Sequence, residues 1–208
     1  MRIDLNADLA EGAPFDEELL RLVTTANVCC GAHAGSRELA LRTVERAQDL
    51  GVRVAAHPGY PDAGFGRFSR VALDDLPDDW LGSQLALFSF QAIKPHGGLY
   101  HDLAAGRHRE LAPQFADFTF LGLEGHRGLG SESILEGFAE RGYSYGGTLI
   151  PRGQPGALIE DPDLAARQAL ELAPRVGTIC IHGDSPNAVA IARAVHAALE
   201  AAGYEIGT

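Results

Sequence analysis

Five apolar stretches of this chain each end in side chains that can move protons, hold ions or carry charge. Residues 3–8 deliver Asn6 and Asp8, residues 28–33 deliver His33, and residues 52–57 deliver His57. Residues 92–97 deliver Lys94 and His96, and residues 179–184 deliver His182 and Asp184. Imidazole changes charge near neutral pH and suits proton transfer. Asp8 and Glu11, three residues apart, can share a proton or a metal ion, or divide the roles of general acid and base. The histidines can also join Asp8 or Asp184 in a metal site. No HExxH motif or closely spaced His pair gives a local metal signature, so a metal, if present, is expected on Asp8, His33 and His57.

Lys94 is the only lysine of the chain; arginine supplies the remaining positive side chains. Lysine is a compact point charge whose pKa can fall on desolvation, which arginine's does not. Arg67 and Arg152 lie in Gly- and Pro-rich loops, where the backbone can approach a ligand and a guanidinium can grip a carboxylate or phosphate. There is no GxxxxGK[ST] loop and no GxSxG elbow. Cys29, Cys30 and Cys180 form neither a disulfide framework nor a CxxC pair, and each is expected to be a buried, inert thiol.

Positioning these groups requires strands that all open on one side. The pattern alternates strand and helix, with no linker or repeat. Ser36 and Asp161-Pro162 read as helix starts and Gly51 and Gly203 as helix stops. Asp16 is read as capping a helix to about residue 25, and Ser185-Pro186 as the cap of the last helix. The second strand is expected to reach His33. Further strands are expected at 90–94, 118–121, 143–145 and 178–181, and helices at 76–87, 109–115 and 133–140. Seven strands with right-handed crossovers in 208 residues predict one α/β domain spanning 1–208. It is expected to be a seven-stranded, irregular (β/α) barrel, with an open doubly wound sheet as the alternative. Active sites of both folds lie at the C-terminal ends of the strands.

The net charge of −11 argues against a nucleic-acid partner. No apolar run approaches the ~20 residues of a membrane span, and the N-terminus lacks a signal-peptide core, so a cytoplasmic protein without a membrane partner is expected.

Several motifs, in order along the chain, resemble the LamB/YcsF family. They are Asp4-Leu5-Asn6-Ala7-Asp8-Leu9-Ala10-Glu11-Gly12, Cys30-Gly31-Ala32-His33-Ala34-Gly35, Ala56-His57-Pro58-Gly59-Tyr60-Pro61-Asp62 and Gly64-Phe65-Gly66-Arg67. Ala26-Asn27, Lys94-Pro95-His96-Gly97-Gly98-Leu99-Tyr100, Arg141-Gly142-Tyr143, Leu149-Ile150-Pro151-Arg152 with Gly156-Ala157-Leu158-Ile159, and His182-Gly183-Asp184 complete the set. The resemblance implies a (β/α) barrel related to glycoside hydrolases and polysaccharide deacetylases. It also implies the role of the A subunit in an ATP-dependent 5-oxoprolinase, which opens 5-oxo-L-proline to L-glutamate.

ATP, with Mg as its divalent metal, is then the expected cofactor, and the B and C subunits of 5-oxoprolinase the expected partners, alongside the small-molecule substrate and a possible homo-oligomer. Asp8, His33, His57, Lys94 and His96 are expected to be catalytic. Asn6, Glu11, Arg67, Arg152, His182 and Asp184 are expected to bind substrate. The alternatives are a stand-alone metal-dependent hydrolase or deacetylase and a shortened, non-catalytic paralogue. The chain departs from the family pattern at Ala10, where Gly is usual, at Ala32, Ser36 and His101, and in abbreviated segments at 79–94 and 101–143.

Overall fold

The first strand, β1 (Arg2–Leu9), sets the pattern of the molecule. Ile3, Leu5, Ala7 and Leu9 alternate with Asp4, Asn6 and Asp8, and all seven are buried. Successive side chains of a strand point to opposite faces. One face therefore packs on helices, and the other lines a buried polar interior. The computed structural model describes residues 1–61 and 72–208, and in it that interior is the lumen of a barrel.

β2 (Thr25–Cys29), β3 (Arg53–His57), β4 (Ala92–Ile93), β5 (Thr119–Gly122), β6 (Glu132–Phe138) and β7 (Thr178–His182) follow in chain order. Each pairs in parallel with the next, and both β2 and β7 pair with β1, closing a ring of seven strands. β8 (Glu205–Ile206) pairs with the first residues of β1. The helices are α1 (Asp16–Leu20), α2 (Arg37–Asp49), α3 (Trp80–Leu85), α4 (Gly97–Ala104), α5 (Pro162–Leu172) and α6 (Ala188–Ala201). α6 buries Ile191, Val195 and Leu199 completely, each worth about 1.5–3 kcal/mol. Among the described residues, no helix is long and apolar enough to cross a membrane.

The expected barrel and its strand count hold, as do two helix starts. Ser36 Oγ accepts from Leu39 N at 3.1 Å, and Asp161 Oδ1 accepts from Asp163 N and Leu164 N. Other expectations need correction. Residues 133–140 are strand β6 and its continuation rather than a helix: Gly137 lets the strand pack on Leu172 of α5, where a Cβ would come within 3.1 Å of Leu172 Cδ1. Pairing with β5 and β7 overrides the local helical pattern.

Residues 143–145 are not a barrel strand; Tyr143 makes an isolated antiparallel bridge to Leu149. α1 stops at Leu20, and Asp16, inside it, accepts from Ala10 N at 2.9 Å instead of capping. β2 ends at Cys29, so His33 stands in the following loop. α6 starts at Ala188, after Ser185 Oγ has accepted from Asn187 N within the turn.

Candidate active site

Lys94 leaves the end of β4 and crosses the lumen to β1, three strands away around the ring. Its Nζ lies 2.8 Å from Asp8 Oδ1, 3.0 Å from Glu136 Oε1, 3.3 Å from Asn6 Oδ1 and 2.8 Å from Cys180 Sγ. Asn27 Nδ2 donates to both Asn6 Oδ1 (2.6 Å) and Asp8 Oδ1 (2.8 Å). Asn6 in turn donates to Thr178 Oγ1, and Tyr100 OH donates to Glu136 Oε2. One ammonium thus balances two carboxylates, with neutral amide and hydroxyl partners fixing their orientation. A network of this kind survives burial because its members are paired.

Beside it, on the β1–β4 side of the mouth, three imidazoles surround one carboxylate. Glu11 Oε1 lies 3.1 Å from His96 Nδ1, 3.2 Å from His33 Nε2 and 3.7 Å from His57 Nε2. The His33 and His96 rings stack in parallel, with centroids 3.9 Å apart. Gly59 makes this possible: a Cβ there would stand 2.6 Å from His33 Nδ1. Gly35 plays a similar part, since a Cβ on it would lie 1.9 Å from the carbonyl oxygen of Ala10.

On the β6–β7 side, Glu140 holds His182 through its backbone N–H at 3.1 Å and through its Nδ1. His182 Nε2 then faces Asp8 Oδ2 at 3.7 Å, and the ring stacks on Phe138. Above these groups opens a cavity of about 310 Å³. Asp8, Lys94 and His182 belong to its polar wall, Phe138, Leu149 and Pro151 to its apolar wall. Arg141 and Arg152 bring cationic charge to it. Arg141 is buried and donates to the carbonyls of Ala157 and Ile150, while Arg152 lies 3.4 Å from Asp184.

The electrostatics follow from burial opposed by charge. Burial disfavours the Asp8 carboxylate, yet the Lys94 ammonium, with His57 and His182, holds it well below the usual range. Burial likewise opposes ionisation of Glu11, but hydrogen bonds from His33 and His96 keep it ionised. Lys94 is desolvated too, and Asp8, Cys180 and Glu136 push it well above its ordinary value. The lysine is therefore a fixed cation rather than a neutral amine. Burial brings His57 down to about 3 and lowers His33, so both are neutral rings at pH 7. Burial raises Cys29 and Cys30 to about 12 and Cys180 still further, in line with inert thiols.

Comparison with known proteins places the fold in a lineage. The LamB/YcsF family pattern matches residues 3–208. The chain belongs to the LamB/YcsF family. It is 41% identical to the 5-oxoprolinase A subunit of Thermus thermophilus, over 99% of both chains. The crystal structure of the lactam utilization protein from Thermus thermophilus superposes with a TM-score of 0.83 at 35% identity, covering 100% of this chain and 99% of that one. A family 4 carbohydrate esterase from Streptomyces lividans shares the fold alone, with a TM-score of 0.57 at 14% identity over 100% of this chain and 92% of its own.

In this LamB/YcsF chain the barrel brings Asp8, Glu11, His57, Lys94, His96, Arg152, His182 and Asp184 to one cavity. Asn6 and His33 are buried behind its wall, where Asn6 meets Lys94 and His33 meets Glu11. Among the described residues, Asp8 does not group with His33 and His57: those histidines gather with Glu11 and His96, and Asp8 gathers with Cys180 and His182. Arg67 falls outside the described residues. Sequence reasoning missed Glu136 and Glu140, and gave no site role to Tyr100 or Arg141 although both stand in family motifs. Ile134, Glu136 and Phe138, at every second position, would share one face of a strand, and with the mid-segment Gly137 they were the available sign of a strand that sets a carboxylate among apolar residues.

Proposed function

We propose that this chain is the A subunit of an ATP-dependent 5-oxoprolinase, acting with the B and C subunits to open 5-oxo-L-proline to L-glutamate as ATP becomes ADP and phosphate. The near-full-length likeness to a relative named as a 5-oxoprolinase A subunit carries this reading. The cavity supports it: an apolar wall suits the ring methylenes, and Arg141 and Arg152 suit a carboxylate.

An unstrained lactam resists water. Phosphoryl transfer from ATP, accompanied by Mg, to the lactam oxygen gives an imidate-like carbon that water can attack. The ring C–N bond then breaks as nitrogen gains a proton, and the acyl phosphate left behind is hydrolysed by a second water to phosphate and the γ-carboxylate. In this proposal the Lys94 ammonium offsets negative charge at the oxygen. Asp8 and His182, the latter oriented by Glu140, handle the protons of the attacking water. His33, His57 and His96 position Glu11 beside that water. Asp184 holds Arg152 toward the substrate.

The test is turnover by the mixture of all three subunits with Asp8→Asn or Lys94→Ala in place of the native chain. Loss of glutamate release by at least ~100-fold with retained circular dichroism is expected; near-normal release by either variant would remove that residue's role. A second reading, metal-dependent hydrolysis by this chain alone, is favoured by the Glu11–His33–His57–His96 cluster. It predicts amide cleavage without ATP or partner subunits.

A further inference from the structure

We infer that Glu11, His33, His57 and His96 form a four-donor site for one divalent transition ion of the zinc class at the barrel mouth. All four donor atoms lie within 4.8 Å of one another. Bonds of 2.0–2.2 Å to zinc in a tetrahedron imply ligand-to-ligand edges of about 3.3–3.6 Å. Four of the six edges bracket that length: 3.1 Å for Glu11–His96, 3.2 Å for Glu11–His33, 3.7 Å for Glu11–His57 and 3.0 Å for His57–His96. Closing the coordination sphere would require the stacked His33 and His96 rings to tilt so that their lone pairs converge on the ion.

The tautomer of His57 points the same way. Its Nδ1 lies 2.6 Å from the carbonyl oxygen of Lys94. A carbonyl only accepts, so Nδ1 carries the proton and the neutral ring turns the lone pair of Nε2 inward. A backbone carbonyl fixing the outer nitrogen is the usual arrangement behind a metal-bound histidine.

The four ligands come from the loop after β1, the loop after β2, the end of β3 and the residues after β4, so a bound ion would tie together four consecutive strand ends. Three imidazoles and one carboxylate suit zinc and its neighbours better than magnesium or calcium, which favour all-oxygen sites. Glu11, His57 and His96 also line the cavity, so the ion would be accessible to a ligand there.

A second donor group, Asp8, Cys180 and His182, is the internal competitor. It is the weaker candidate because Lys94 Nζ already occupies both Asp8 Oδ1 and Cys180 Sγ at 2.8 Å. Ion binding requires neither the 5-oxoproline reaction nor the partner subunits, so it fails or stands on its own.

The experiment is metal binding by the full chain, stripped with a chelator and then titrated with Zn²⁺ alone. Elemental analysis after dialysis should give one ion per chain, and Co²⁺ in its place should give the intense visible absorption of a four-coordinate site. Glu11→Gln and His57→Ala should each weaken binding by at least about 100-fold, since even residues supporting ligands cost 10–100-fold, whereas His182→Ala should leave affinity within about threefold. Zn²⁺ should raise Tm for the native chain and not for Glu11→Gln, a near-isosteric change that keeps the test open if His57→Ala folds poorly. Fewer than about 0.1 ions per chain, or affinity unchanged in Glu11→Gln, would overturn the inference. Loss of binding in His182→Ala alone would move the ion to the other group and overturn it equally.

Discussion

The two sides of the barrel mouth solve the same problem differently. On the β1–β4 side, Glu11, His33, His57 and His96 reach one another over short paths from strand ends that the sequence displays openly. On the β6–β7 side, Glu136, Glu140 and His182 depend on an extended strand and on ring closure to find their partners. Lys94 joins the two, starting on β4 and ending between β1 and β6. A strand-end motif can be read locally, whereas a charge balanced across a lumen belongs to the closed barrel.

Several perturbations would break or sharpen this contrast. Lys94→Met should have the largest effect, leaving Asp8 and Glu136 buried without their cation; a loss of about 3–5 kcal/mol in urea unfolding is expected. A loss under 1 kcal/mol would mean that the two sides are not coupled through the lysine. His126 tests the β5 side by pH. It is buried, its Nδ1 accepts from Leu123 N at 2.8 Å and its Nε2 donates to the carbonyl oxygen of Tyr100 at 2.8 Å. Burial lowers it from 6.5 to about 4. Because the unfolded chain takes up the proton first, its stabilisation is complete above about pH 6.5 and is lost as pH falls toward 4. That loss amounts to about 3 kcal/mol, and His126→Gln should flatten this part of the pH–stability curve.

Glu140→Gln should leave the fold intact and cost less than either change, weakening the hold on His182. Turnover should fall about 10-fold or more with little change in KM, while the histidine cluster across the mouth keeps its imidazole NMR shifts. Ala10→Gly should have the smallest effect. Ala10 adopts a φ of +62°, the left-handed region, which costs a non-glycine residue about 1–2 kcal/mol. The replacement should raise unfolding stability by up to about 1 kcal/mol, after glycine's greater unfolded-state entropy is counted. Destabilisation would mean that the Asp16–Ala10 hydrogen bond depends on the alanine.

Much of this architecture was legible because its determinants are local. Strands ending in Asp8, His57 and Lys94, the Ser36 cap and the Asp161-Pro162 start all follow from residues adjacent in sequence. The family motifs brought the barrel and the family within reach. β6 escaped because residues 133–140 carry helix-compatible residues, and only pairing with β5 and β7 makes them extended. Glu136 and Glu140 were lost with it. Tyr100 lies one turn into α4, where its apolar neighbours suggest core, and its hydroxyl gains meaning only from Glu136 across the lumen. The fate of Lys94 could not be read locally either: desolvation alone lowers a lysine's pKa, and the opposing carboxylates come from β1 and β6.

The most direct test of the proposed function is glutamate release from 5-oxo-L-proline and ATP by the B and C subunits, with and without this chain. Release should require the native chain and disappear when it carries Lys94→Ala. Equal release without the chain, or none with it when the A subunit of another 5-oxoprolinase restores activity to the same B and C, would contradict the proposal.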